Sequence, residues 1–377
     1  MRSRSRRSLA VRALRLALVR GNIGPIRLVH AALYRAVAHI AALVLRLRCP
    51  GGIACVSLRG SATSAFLVPG LSDVDLFVVL HDEVGSDGHE AMRQAYAHLA
   101  AWCPLLDPHP WLLRWRDVGA LYRENPSFRF RVFEGRQAFR TIYGTPRLGS
   151  LPALSRPETA LAHLFDLKSR LTYFNAVCLP AGADAFETCR AEHMLFKLTL
   201  DFVRLAHTRG GGPDLFDREE VCRQYVEGTL GLETVLGIDD DTLLRQFVAF
   251  VGEHRLRRSF FRKAGVDRDV LESRLLRACL DLCVAFWAHE DLRACDLLSV
   301  EHEHFYANGR FRPTGHPVRE LPVGSLDDYA QLRRTVADGR AGGWHAVVRY
   351  RGLLVNLSHR DPGLGHCSVV AWPEETR

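Results

Sequence analysis

Lysine is nearly missing from this chain: Lys168, Lys197 and Lys263 stand against 47 arginines. In a chain this arginine-biased, an arginine on a helix face says little by itself. Acidic residues are missing from the whole N-terminal part. Residues 1–72 hold twelve Arg and no Asp or Glu, a charge of +12, whereas the remaining 305 residues carry 38 basic and 42 acidic side chains. The net +8 is therefore the product of one block, and such a block attracts nucleic acid, an acidic membrane surface or nucleotide phosphates. None of the ten cysteines forms a C-x-x-C, and no Cys/His group has zinc-finger spacing. A structural zinc site is thereby excluded, and the thiols are expected reduced, as small buried hydrophobes.

Long apolar runs are also lacking. Between Arg27 and Arg46 the longest stretch without arginine is ten residues, Ala36–Leu45, and it contains His39. A membrane span needs about twenty apolar residues, so no membrane insertion is expected. The opening MRSRSRRSLAVRALRLALVR has the Arg/Ser-rich, acid-free look of a transit peptide. Arginine repeatedly breaks the apolar stretch after it, and the expectation is a cytoplasmic protein. There is no G-x-S-x-G nucleophile elbow. Gly210-Gly211-Gly212 does not follow a strand pattern, so it is not a dinucleotide fingerprint. No internal repeat or low-complexity tract occurs.

What remains is an ordinary globular composition, 47% hydrophobic and 24% charged over 377 residues, enough for two or three packed units. Four segments emerge. Residues 1–52 are a basic N-terminal helical segment, with apolar residues recurring every three or four positions from Pro25 to Leu47 until Cys49-Pro50-Gly51-Gly52 ends the pattern. Residues 53–150 read as α/β. Ile53–Leu58 is a buried strand, Val74–Leu80 a second, 88–102 a helix, Leu105-Leu106-Asp107 a short third strand and Phe128–Phe133 (FRFRVF) a half-exposed strand. Residues 151–299 are all-helical, with patterns over 157–178, 184–208, 217–228, 239–259 and 267–293. Asp239–Asp241 and Asp267 stand where N-caps belong. Residues 300–377 mix a helix near 325–338 with strands at 344–350, 353–358 and 367–372.

One stretch carries chemistry: VSLRGSATSAFLVPGLSDVDLFVVL, from Val56 to Leu80. A buried strand ends at Gly60-Ser61, a spacer follows, and Asp73 and Asp75 flank Val74 at the head of another strand. Residues two apart in a strand share a face. The two aspartates therefore project together while Val74 and Leu76 turn to the core. Paired carboxylates repel each other unless a cation neutralises them, and they are the hard oxygen ligands that Mg²⁺ prefers. Gly60-Ser61 offers a close backbone approach, an N–H and a hydroxyl to a phosphate.

The strand, Gly-Ser, spacer and Leu71-Ser72-Asp73-Val74-Asp75-Leu76 together resemble the DNA polymerase β-type nucleotidyltransferase superfamily, clearly over about 25 residues and loosely over 53–145. The resemblance implies a small mixed-sheet nucleotidyltransferase core (53–150), followed by the helical domain and the mixed C-terminal segment. Nucleotide would bind in the cleft between lobes. Gly60, Ser61 and Ser72 would hold the triphosphate of an NTP, and Asp73 and Asp75 would bind Mg²⁺. The superfamily's third carboxylate falls to Asp107, with Glu134 as substitute, although Pro108 and Pro110 cut the strand at Asp107 short. Smaller bacterial members often carry an Arg just after Gly-Ser, where this chain has Ala62-Thr63-Ser64. Lys168 and Lys197 lie on the first two helices of the helical unit, where related two-domain enzymes place phosphate-binding cations.

The reaction so implied moves AMP from ATP to a hydroxyl of a small-molecule acceptor, with pyrophosphate released. A protein or RNA acceptor is the second choice. Two other classes stay open: a catalytically inactive nucleotide-binding or interaction module of the same fold, and a nucleic-acid-binding protein using the basic N-terminus. The run Glu301-His302-Glu303-His304 reads as a solvated helix end. Trp102, Trp111 and Trp115 read as core or interface residues.

Overall fold

A computed structural model of the protein describes residues 2–64, 66–108, 110–164, 166–167, 185–215, 217–230 and 242–287, together with strands at 319–321, 344–350, 353–359 and 367–373. The chain is mixed α/β and divides into two compact units. The first comprises residues 1–153 with 216–220 and 254–258, and the second the rest.

In the first unit, helices α1 (Arg2–Arg20) and α2 (Ile26–Arg48) precede strand β1 (Ile53–Arg59), a 3₁₀ turn (Gly60–Thr63) and strand β2 (Asp75–Leu80). Helix α3 (Ser86–Trp102), β3 (Trp111–Arg114), α4 (Trp115–Glu124), α5 (Pro126–Ala138) and β4 (Arg140–Gly144) follow. The sheet order is β3-β2-β1-β4. β1 runs antiparallel to β2 and β4, and β2 runs parallel to β3. It is a four-stranded mixed sheet.

Strand alternation divides the side chains between two layers. Val56, Leu58, Leu76, Val78 and Leu80 are buried in one core cluster with Tyr34, Ala38, Ala41 and Leu45 of α2 and Met92 and Tyr96 of α3. Ser57, Arg59, Asp75 and Phe77 belong to the opposite face. There Phe77 meets Trp111 edge-on at 6.0 Å, and Trp111 meets Phe128 of α5 at 4.9 Å. Among the described residues, α2 is the helix that is long and apolar enough to cross a membrane by length and composition. Its inner side is nonetheless committed to this core.

FRFRVF is not a strand. It lies inside α5, whose start is fixed by Asn125, with Oδ1 accepting the Phe128 N–H at 2.9 Å, and by Pro126 in the first turn. The alternation is accidental, because Phe128, Phe130, Val132 and Glu134 are all buried, so more than one side of the helix is enclosed. The third strand is also displaced. Leu106 forms only a single parallel bridge with Val74, and the longer pairing begins after the prolines, at Trp111. Trp102, expected in a core or interface, is 89% exposed.

The described residues of the second unit up to 287 form the helices α6 (156–164), α7 (Ala185–Arg209), most of α8 (Arg218–Glu227), α9 (Thr242–His254), α10 (Phe260–Ala264) and α11 (Arg268–Trp287). α7 is the most enclosed, burying Leu195, Leu198, Phe202 and Leu205 together with the charged Glu192, Asp201 and Arg204. Strands β5 (Arg319–Leu321), β6 (Trp344–Tyr350), β7 (Leu353–His359) and β8 (Cys367–Pro373) form a second sheet in that order, with β6-β7-β8 an antiparallel meander. The expected helix near 325–338, the run 301–304, Asp239–Asp241 and Lys168 lie outside the described residues.

Candidate functional site

β1 and β2 are tied together at the point where both acquire polar residues. Arg59, the last residue of β1, pairs across the antiparallel ladder with Asp75, the first of β2. Gly60 then turns the chain at φ +70°. A β-carbon at Gly60 would collide with Oδ2 of Asp75, so the glycine lets the carboxylate lie directly against the backbone. Ser61 is buried, and its carbonyl accepts the N–H of Ser64 at 3.2 Å.

The spacer between Ser61 and Asp73 is held by hydrogen bonds. The Tyr34 hydroxyl of α2 donates to the Ser72 carbonyl at 2.8 Å and accepts the Gly70 N–H at 3.2 Å. Burial pushes that phenol up to about 12. Ser72 is itself only 2% exposed, and its hydroxyl oxygen accepts the Val68 N–H at 3.1 Å. Ser72 therefore shapes the loop from inside. α1 also supports the loop. Gly70, at φ +88°, leaves no room for a β-carbon against the Arg15 backbone, and Arg15 Nη2 donates to the Pro104 carbonyl at 2.6 Å.

The aspartates flank Val74, whose side chain is wholly buried. Their own side chains are partly open, 41% for Asp73 and 26% for Asp75. Asp107 joins them through the backbone: Val74 N–H donates to Leu105 at 2.7 Å, and Asp107 N–H donates to Val74 at 3.1 Å. With Val74 and Leu106 bridged in parallel, Asp107 comes alongside Asp75 and shares its alternation. The electrostatics agree. The Tyr96 hydroxyl, which donates to the Asp107 carbonyl at 2.8 Å, is pushed up mainly by burial and further by the charges of Asp107 and Asp75.

Arginines balance these acids. Arg15 Nη2 lies 3.6 Å from Asp73 Oδ1, and Arg59 Nη2 lies 3.7 Å from Asp75 Oδ1. Arg59 is the site residue that sequence reasoning missed. Its guanidinium stacks over Trp111 at 3.9 Å, its side chain is 15% exposed, and its Nε is buried with no hydrogen-bond partner among the described residues. Burial pulls its pKa below the usual guanidinium value; Asp75 and Asp107 oppose that and the like charge of Arg131 adds to it. The signal was available as a lone charge ending the apolar strand IACVSL, directly before Gly60.

Glu134 is 8% exposed on α5 and pairs with Arg131 at 3.0 Å. It belongs to a helix rather than to a strand end. Lys197 is half-buried on α7 in the second unit. As a donor set, Asp73, Asp75 and Asp107 suit a hard divalent cation. Among the described residues, however, no group of three or more His, Cys, Asp or Glu is drawn together as a metal cage. No family model matches this chain, and no curated protein matches it.

Proposed function

We propose that the site transfers a nucleotidyl group, AMP from ATP, to a hydroxyl of a small acceptor. The observation that carries the proposal is the backbone pairing that sets Asp107 beside Asp75, at the strand head flanked by Asp73 and next to the glycine turn. A further carboxylate beside the Asp-x-Asp pair is what the resemblance to polymerase β-type nucleotidyltransferases implies, and the pairing supports that reading.

Asp73, Asp75 and Asp107 would hold Mg²⁺. The cation would neutralise phosphate charge and acidify the attacking hydroxyl. The positive charge of Arg15 and Arg59 now serves the carboxylates, and a triphosphate gives those arginines an alternative anion as the acids turn to the cation. Gly60 and the Ser61 N–H would offer the phosphate a backbone approach once the Asp75 carboxylate beside Gly60 turns to the cation. With nucleophile, phosphorus and leaving group held in line, positioning supplies much of the rate.

The test is incubation with Mg²⁺ and ATP labelled at the α-phosphate against a panel of hydroxyl-bearing acceptors. Label moves to an acceptor and pyrophosphate appears, and both stop in Asp75→Asn. A second reading rests on the lack of a ready carboxylate cage among the described residues: a module that binds nucleotide without turnover. It predicts ATP binding with no pyrophosphate from any acceptor.

A further inference from the structure

Helix α2 has a second apolar side that the core does not use. Tyr34, Ala38, Ala41, Ala42 and Leu45 point into the first unit. Roughly opposite them, Leu28 is 73% exposed, Val29 66%, Leu33 46%, Ile40 59%, Leu43 52% and Leu47 71%. From Val29 to Leu47, with the exposed Ala36 between Leu33 and Ile40, the steps of three and four residues keep one face, and the stripe runs about 27 Å along the helix at 1.5 Å per residue. Single exposed apolar residues are normal, but a continuous stripe marks an interaction surface.

We infer that this face of α2 lies flat on an anionic lipid bilayer, independently of the aspartate site. Charge selects that occupant over a second copy of the chain. Neither α1 nor α2 contains an acidic residue, and Arg35, Arg46 and Arg48 are exposed beside the stripe. Two copies joined along it bring arginine against arginine with no carboxylate between them. An anionic surface answers the same cations, with the apolar stripe sunk into the headgroup boundary. A transmembrane orientation is disfavoured because it strips the inner face of α2 from the sheet it covers.

The test is co-sedimentation of the full chain with phosphatidylcholine vesicles, with and without phosphatidylserine. The chain pellets with the anionic vesicles, is released by high salt and by alkaline carbonate, and stays soluble with neutral ones. Ile40→Glu with Leu47→Glu lowers partitioning at least tenfold while leaving the melting temperature unchanged, since both side chains face solvent. Arg35→Gln with Arg48→Gln lowers it several-fold. Equal binding to neutral vesicles, or undiminished binding in the Glu variant, overturns the inference. So does a lipid-free dimer that the Glu variant abolishes, which assigns the stripe to a second copy. Resistance to carbonate overturns it in favour of a spanning helix.

Discussion

The carboxylate of Asp75 rests against the α-carbon of Gly60 so closely that a β-carbon there meets Oδ2. Gly60 also has a left-handed φ of +70°. Two separate demands for glycine meet at one residue, one from the backbone and one from the neighbouring acid. Gly60→Ala is therefore expected to lose about 1–2 kcal/mol from the backbone strain alone. It also pushes Asp75 out of place and should lower the proposed nucleotidyl transfer at least tenfold. Thermal melting and label transfer check the two effects separately, and a variant that melts and reacts like the parent contradicts the packing described.

Arg59 serves Asp75 and Trp111 at once. Its charge lies 3.7 Å from the acid and its guanidinium 3.9 Å from the ring centroid. Arg59→Ala strips the ring of its cover and leaves a partly buried carboxylate without its cation, at a cost of about 1–3 kcal/mol. Arg59→Lys keeps the charge but loses the planar stack, and recovers only part of the stability. Denaturant midpoints of the two variants decide it. Equal losses show that the stack contributes most.

Asp107 and Glu134 are the two candidates for the third carboxylate of the proposed site. Backbone pairing sets Asp107 beside Asp75, whereas Glu134 is engaged by Arg131 on α5. Asp107→Asn should lower transfer about a hundredfold, close to 3 kcal/mol of barrier, with little change in melting temperature. Glu134→Gln should instead destabilise the fold and leave the rate per folded molecule nearly intact. Reversed outcomes assign the role to Glu134.

The second unit carries its own pH dependence. Glu192, whose carboxylate accepts from the Ser259 hydroxyl, is pushed up to about 7, and Glu272, beside Arg268 at 3.0 Å, is pushed up to about 8, each mainly by burial. Both raised values favour the protonated acid in the folded state. Between the ordinary glutamate range near 4.5 and about 7–8 the folded chain holds protons that the unfolded chain has released. Stability therefore falls as pH rises through that window. Melting temperature should be higher at about pH 5 than at about pH 8.5, and Glu192→Gln with Glu272→Gln should flatten the slope. A melting temperature that rises with pH across this window contradicts the assignment.

The local elements around the motif were legible because their patterns had one interpretation. α2, β1, β2 and α3 have uninterrupted periodicity and clear Gly or Pro stops, and the meander strands at 344–350, 353–359 and 367–373 fall nearly where alternation puts them. FRFRVF failed because a helix buried on several sides loses its 3.6-residue signature, while the informative Asn125-Pro126 start is short and local. β3 is four residues and β4 five, too brief for alternation to register. The places of Asp73 and Asp75 at the head of β2 and of Gly60 at the turn after β1 were legible from spacing. The pairing of Asp107 depends on a single bridge, and Arg59 depends on Trp111, a residue far from it in sequence. Neither relation leaves a local trace.

The most direct measurement is calorimetric titration of a non-hydrolysable ATP analogue into the protein with and without Mg²⁺, repeated in Asp75→Asn and Asp107→Asn. Magnesium should strengthen analogue binding in the parent by at least tenfold, and each variant should erase that gain while still melting as a folded protein. Analogue binding that is indifferent to magnesium, or a magnesium effect that survives both substitutions, contradicts the claim that these aspartates hold a metal–nucleotide complex.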